Sequence, residues 1–219
     1  MSTKEEKQKK WENYWYYYKW HTIVGIVALL VIAYTVYDKV TYIKPDFEID
    51  AVTDCGFSYN SADTIANSLA SSGALDDING DGKIKASVSY YTAGYSGEAS
   101  KQADPSMMQI VQLRMAVGES PIILTDSTVA KVYEDQGVFA DITGLADRLG
   151  IADEDRLASK DGKVIGINIA ESAAFANTGI QTGELYLTLR NPTNDIKKNK
   201  KAMKEFENAE KIAEYLIKG

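Results

Sequence analysis

Residues 121–137, PIILTDSTVAKVYEDQG, decide the fold class. The first five form a short apolar run of the kind buried on both faces of a sheet. Asp126 then offers a carboxylate to open a helix on which Val129, Ala130, Val132 and Tyr133 recur, and Gly137 supplies the stop. A doubly covered strand running directly into a helix is a building unit of layered α/β domains.

The same alternation extends to both sides. Upstream, Asp46 to Thr53 places Phe47, Ile49 and Ala51 on one strand face. Ser61 to Ser71 carries a helical stripe of Ala62, Ile65, Ala66, Leu69 and Ala70, with Ser61 in the position of an N-cap. Lys83 to Tyr91 alternates again, and Pro105 opens a helical run behind the cap Asp104. Downstream, Lys163 to Ile169 and Glu184 to Arg190 read as strands. Lys200 to Lys218 reads as a helix with Met203, Phe206, Ala209, Ile212, Ala213 and Leu216 on one face. The expected fold is a three-layer α/β domain with a partly parallel sheet.

The chain before this domain obeys a different rule. From Trp20 to Tyr37 there are 18 residues without a formal charge, and Ile23 to Ala33 is almost continuously aliphatic. At a rise of about 1.5 Å per residue the run covers about 27 Å, close to the ~30 Å hydrocarbon thickness of a bilayer. Trp11, Tyr14, Trp15, Tyr16, Tyr17, Tyr18 and Trp20 precede it, and Tyr34, Tyr37 and Tyr42 close it, as interfacial aromatic belts would. Lys4, Lys7, Lys9, Lys10 and Lys19 outnumber Lys39 and Lys44, which predicts a cytoplasmic N-terminus and an exported C-terminal domain. A cleaved signal peptide shares the basic head. The apolar run, however, exceeds the usual ~7–15 residue signal core and is followed by no small-x-small cleavage pattern. The expected organisation is a cytoplasmic segment 1–19, a transmembrane helix 20–40 in contact with lipid, and an extracytoplasmic α/β domain 41–219, anchored to the cell membrane by a single uncleaved pass.

Composition removes several functions. Residues 46–219 hold 17 basic and 27 acidic side chains, a net of −10, which disfavours nucleic acid and favours cations. His21, the only histidine, lies beside the apolar run, so the exported part has no imidazole for a Ser-His-Asp triad or a His-ligated zinc. Cys55 stands alone, which excludes an intrachain disulfide and fits a buried structural thiol. The expectation is a protein that is not an enzyme, with no catalytic or cofactor-binding residues to name.

Ile122 to Asp126, the following helix, Gly137-Val-Phe-Ala-Asp-Ile-Thr143 and Asp161-Gly-Lys-Val-Ile-Gly-Ile167 together resemble the first lobe of extracellular solute-binding proteins of the periplasmic-binding type. The head KKWENYWYYYKWHTI resembles that of membrane-anchored extracytoplasmic proteins of Gram-positive bacteria. The resemblance covers about residues 46–190 and implies one lobe of the type II fold. Solute capture in that family closes two lobes of ~150 residues each over the ligand, and only one fits here. No ligand-contacting position is carried over.

Asp77-Ile-Asn-Gly-Asp-Gly-Lys83 is the sharpest local motif. Asp77, Asn79 and Asp81 present side-chain oxygens at alternate positions, Gly82 permits the sharp turn, and Lys83 supplies a carbonyl, as in the opening half of a calcium loop. The residue at position twelve is Val88, so the bidentate acid is missing. The same residues also make a metal-free Asx turn, and the sequence leaves both readings open.

Three weaker candidates complete the reading. Tyr90 to Tyr95 could stack sugars or simply cover a strand end. Glu98, Asp104 and Glu119 show no acid/base spacing. Lys197, Lys198, Lys200, Lys201 and Lys204 form a basic stretch suited to solvent or to an anionic lipid or wall polymer. The chain thus reads as an envelope binding or interaction module, with an envelope protein or a small solute as partner, structural Ca2+, and solute recognition for a transporter as the alternative. An enzyme would need two of Asp54, Glu98, Asp126 and Glu171 around one deep pocket.

Overall fold

The computed structural model describes residues 4–41, 43–54, 57–95, 104–175, 178 and 184–218. It divides the chain into two compact units, Met1–Ile43 and Lys44–Gly219. The first is one helix, α1 (Lys4–Thr41), 38 residues long. The expected span of 20–40 lies within it, and the basic head is helical too. Every large apolar side chain from Trp11 to Val40 is exposed. A helix made to pack on a protein core shows a single apolar stripe, whereas α1 is apolar around its whole circumference. Its aromatic head stacks on itself, with ring centroids of Trp11 and Tyr14 6.0 Å apart and of Tyr14 and Tyr18 5.3 Å apart.

The second unit is a mixed α/β sandwich. Its strands are β1 (Phe47–Thr53), β2 (Ala86–Thr92), β3 (Ile122–Thr125), β4 (Arg156–Ala158), β5 (Val164–Asn168) and β6 (Tyr186–Leu189). They form one sheet in the order β2-β1-β3-β6-β5-β4. β2, β1 and β3 run parallel, while β6 enters antiparallel between β3 and β5. β3 and β6 are buried at every residue, Thr188 included, whose hydroxyl donates to Ile123 O at 2.9 Å.

The helices are α2 (Tyr59–Ser71), α3 (Pro105–Val117), α4 (Ser127–Tyr133), α5 (Thr143–Leu149), α6 (Asn194–Lys198) and α7 (Lys200–Lys218). Residues of α2, α5 and α7 join Phe47, Ile49, Ala51, Ile122 and Leu124 in one core layer. Residues of α3 and α4 join Val52, Ile123 and Ile165 in the layer on the opposite face. The alternation of β1 therefore distributes its side chains between two cores.

Two expected boundaries move. The N-cap of α2 is Ser58, whose hydroxyl accepts from Ser61 N at 3.2 Å. Ser61 lies inside the helix, buried, and donates to Thr178 O at 2.7 Å. β2 begins at Ala86 because side chains hold the preceding amides. Lys83 N donates to Asp81 Oδ1, and Lys85 N to Asp46 Oδ2.

One buried ionic contact crosses the second core. Arg190, 3% exposed, donates from Nε to Ser120 O, from Nη1 to Met115 O and from Nη2 to Arg114 O, at 2.8–3.0 Å. It thereby pins the end of α3 to the start of β3. Gly118 makes room for this arrangement, because a Cβ there would strike Arg114 O and lie 2.8 Å from Arg190 Nη2. Asp50, 1% exposed, faces Arg190 Nη2 at 3.7 Å, too far for a hydrogen bond. Both Asp50 oxygens lack a hydrogen-bond partner among the described residues. Burial raises the Asp50 pKa against the pull of Arg114 and Arg190, and burial lowers that of Arg190.

Candidate functional site

In open α/β sheets ligands settle at the carboxyl ends of strands where the strand order reverses. Here that point lies between β1 and β3, since the chain passes from β1 to β2 on one side and then to β3 on the other. The loops that follow these strands are tied together by carboxylates. Asp126 caps α4, its Oδ1 accepting from Val129 N at 2.9 Å, and its Oδ2 accepts from Asp54 N. Asp54 Oδ1 in turn accepts from Gly94 N at 2.7 Å and Tyr95 N at 3.1 Å.

The fold therefore brings together two of the four carboxylates named from the sequence. Both spend oxygens on backbone N–H groups, which is the work of loop-positioning residues. Asp126→Ala is expected to cost about 2 kcal/mol, because it removes a helix cap and strands the Asp54 amide. Urea denaturation checks this, with Asp126→Asn retaining part of the loss. Glu98 and Cys55 lie outside the described residues. Asp104 caps α3 through Ser106, which holds its carboxyl below the ordinary range, and Glu119 is exposed and apart.

The same edge carries a cavity of about 320 Å³ lined by Asp155, Asn168, Glu171, Ser172, Ile151 and Ile217. β5 runs parallel to β3, so Asn168 and Glu171 follow a carboxyl end as Asp54 and Asp126 do. Asn168 Oδ1 is engaged by Ala170 N and Leu185 N. Glu171 is thus on a cavity wall with Asp155, away from the Asp54 and Asp126 pair. Nearby, Ser127 Oγ donates to Glu184 Oε2 at 2.7 Å. Burial, reinforced by Glu184 and Asp155, raises the Tyr186 phenol.

The tyrosines of 90–95 are dispersed. Tyr90 stacks on Phe57 at 6.3 Å, and Tyr91 lies under the Arg114 guanidinium at 5.7 Å. Tyr95 shares a 2.6 Å hydrogen bond with Tyr133, whose phenol is pushed far up by burial and then by Tyr95. Residues 90 and 91 point to opposite faces of a strand, so no continuous sugar-stacking platform arises from them.

The opposite edge holds the loop 77–83. Asp77 accepts from Gly80 N and Gly82 N, Asn79 Oδ1 from Asp81 N, and Asp81 Oδ1 from Lys83 N, at 2.6–2.9 Å. Gly80 and Gly82 take φ of 75° and 76°, which a side chain would strain. Buried Asp46 anchors the loop, accepting from Ile78 N and Asn79 N at 3.0 Å. Val88, the residue at the twelfth position, packs against the core from β2. Among the described residues no three His, Cys, Asp or Glu side chains converge as metal ligands. The basic stretch is divided between two helices: Lys197 and Lys198 close α6, where Lys198 pairs with Asp195 at 3.7 Å, and Lys200, Lys201 and Lys204 lie in the opening turns of α7.

No family model matches the chain, and neither does any curated protein. Among solved structures, a match is the N-glycan transport solute binding protein NgtS from Streptococcus pneumoniae in complex with Man5GlcNAc. The two are 16% identical with a TM-score of 0.32, over 57% of this chain and 26% of that one. The chain spans about a quarter of the length of that protein, and at this score the likeness carries no inference about role.

Proposed function

We propose that the chain is a single-pass, membrane-anchored module of the cell envelope, whose acidic α/β domain binds or presents to a partner outside the cell without catalysing a reaction. The observation that carries this reading is α1, apolar and exposed around its whole circumference over a length sufficient to cross a bilayer. Left in water, such a surface would be strongly unfavourable, and lipid is the solvent that removes the penalty. The engagement of Asp54 and Asp126 with backbone amides supports a loop-positioning rather than a catalytic role for these two carboxylates. Flotation of the full chain with liposomes tests the anchor. Co-migration with lipid after alkaline washing is expected, and recovery in the soluble fraction would contradict it.

The second reading, solute recognition for a transporter, is favoured by the cavity at the carboxyl edge. Asp155 and Glu171 offer hydrogen-bond acceptors for a hydroxylated or amino-bearing solute. A cavity of this size on one lobe is open, so the affinity expected is weak. Calorimetric titration of sugars, amino acids and peptides into the detergent-solubilised chain separates the readings, with saturable heat abolished by Glu171→Gln favouring solute recognition.

Calcium belongs to the first reading as a structural clip. The loop 77–83 offers only hard oxygen donors, from Asp77, Asn79, Asp81 and the Lys83 carbonyl, and water or Asp76 would complete the shell. Its place beside Asp46, on the edge away from Asp54 and Asp126, suits a clip and not a reaction centre. At calcium ten times above its Kd, linkage gives about 1.4 kcal/mol, or a rise of about 3–6 °C in Tm for a domain of this size. Thermal melts with calcium and with chelator check this, and superimposed curves would remove the ion from the account.

A further inference from the structure

The two edges of the sheet are built differently. β4 is three residues long, opens on Arg156 tied to Asp147 at 2.7 Å, and loses register between Leu157 and Ala158. Shortness, charge and irregularity are the devices that keep an edge from recruiting another strand. β2 has none of them. Its seven residues, ASVSYYT, include no charge and no proline, and stay in unbroken register with β1.

The backbone of β2 defines what its open side offers. Lys85 O accepts from Asp46 N, and Ala93 N donates to Thr53 O, so residues 85, 87, 89, 91 and 93 direct their peptide groups at β1. Those of Ala86, Val88, Tyr90 and Thr92 consequently point away from the sheet. Among the described residues no strand pairs with that side.

We propose that β2 is a self-association edge, on which a second copy of this chain pairs its own β2 antiparallel about a two-fold axis at Ser89. In that register the outward residues meet one another: Val88 faces Tyr90 of the second copy, and Ala86 faces Thr92. An aromatic ring opposite a β-branched side chain is a favourable cross-strand pair. On the other face Ser87 meets Tyr91, and Ser89 meets Ser89, again without charge. Net charge selects the same site. Two domains of −10 repel over most of their surfaces, and β2 is the sheet edge on which no like charges are brought together. The pairing is isologous and leaves only the blunted β4 edges outside, so it closes as a dimer and does not grow into a fibre.

Cysteine cross-linking of the full chain in lipid vesicles tests this register, with Cys55→Ala as background so that only the introduced thiol reacts. Directly opposed residues of a non-hydrogen-bonded antiparallel pair lie about 4.5 Å apart at Cα, within disulfide reach. Ser89→Cys is therefore expected to form a disulfide-linked dimer severalfold faster under mild oxidation than Ser87→Cys or Ser71→Cys, the last an exposed position on α2. Equal rates at the three positions, or no dimer from Ser89→Cys, would overturn the proposal, the latter outcome also being that expected if the edge takes a strand from a different protein. A charge swap supplies a second readout. Ser89→Glu and Ser89→Lys should each be monomeric alone and associate when mixed, and failure of the mixture to associate while both variants remain folded would also overturn it.

Discussion

Replacing Arg190 with methionine is expected to cost about 3–5 kcal/mol of stability near neutral pH, the range for breaking a buried ionic contact from one side. The side chain does two things at once. It holds the carbonyls of Arg114, Met115 and Ser120, and it is a cation beside Asp50, whose oxygens have no partner at hydrogen-bond geometry among the described residues. The pH dependence separates the two roles. Because burial raises Asp50 in the folded state, its contribution to stability is fully present below the ordinary carboxylate range and is lost as pH rises through the raised value. Arg190 limits that loss. The gap between variant and wild type should therefore be widest at neutral pH and narrow on mild acidification, and Asp50→Asn should recover part of it in the double variant. Denaturant midpoints measured across pH check this. A gap that does not change with pH would mean that capping of α3 and not charge is what Arg190 contributes.

The second large effect is expected in α1. Leu29→Arg combined with Leu30→Arg places two cations at the centre of the apolar segment, where each costs about 2.5–3.5 kcal/mol on insertion scales. The full chain should then shift from the membrane pellet to the soluble or aggregated fraction after alkaline extraction, while Leu29→Ile with Leu30→Ile leaves it in the pellet. Retention of the double arginine variant in the pellet would show that lipid is not what covers this surface.

The parts of the fold that were legible in the sequence are those whose cause is local. Ile122 to Thr125 is apolar because both faces are covered, Asp104 and Asp126 sit where helices need caps, and the stripe of Ala209, Ile212, Ala213 and Leu216 spells out the buried side of α7. What escaped is set by partners distant in sequence. β4 is a strand only because β5 lies beside it, and nothing in the four residues of β6 tells it to enter antiparallel. α6, with five residues, is too short to show a period, and α5 buries only the adjacent pair Leu145 and Ala146, which marks no stripe. Ser58 and Ser61 are equally good caps by composition, and the demand of Thr178 O decides between them. The candidate site divides in the same way. Loop 77–83 was visible because all its oxygens fall within seven residues, whereas the Asp54 and Asp126 junction and the contact of Asp50 with Arg190 exist only once the strands are side by side.

Proteolysis of intact cells carrying a tag at each end of the chain puts the whole account at risk in one measurement. An anchored exported domain predicts that protease added outside removes the C-terminal tag while the N-terminal tag survives on a short membrane-bound fragment. A C-terminal tag that is cut only after the cells are permeabilised, or a domain shed into the medium without α1, would contradict it.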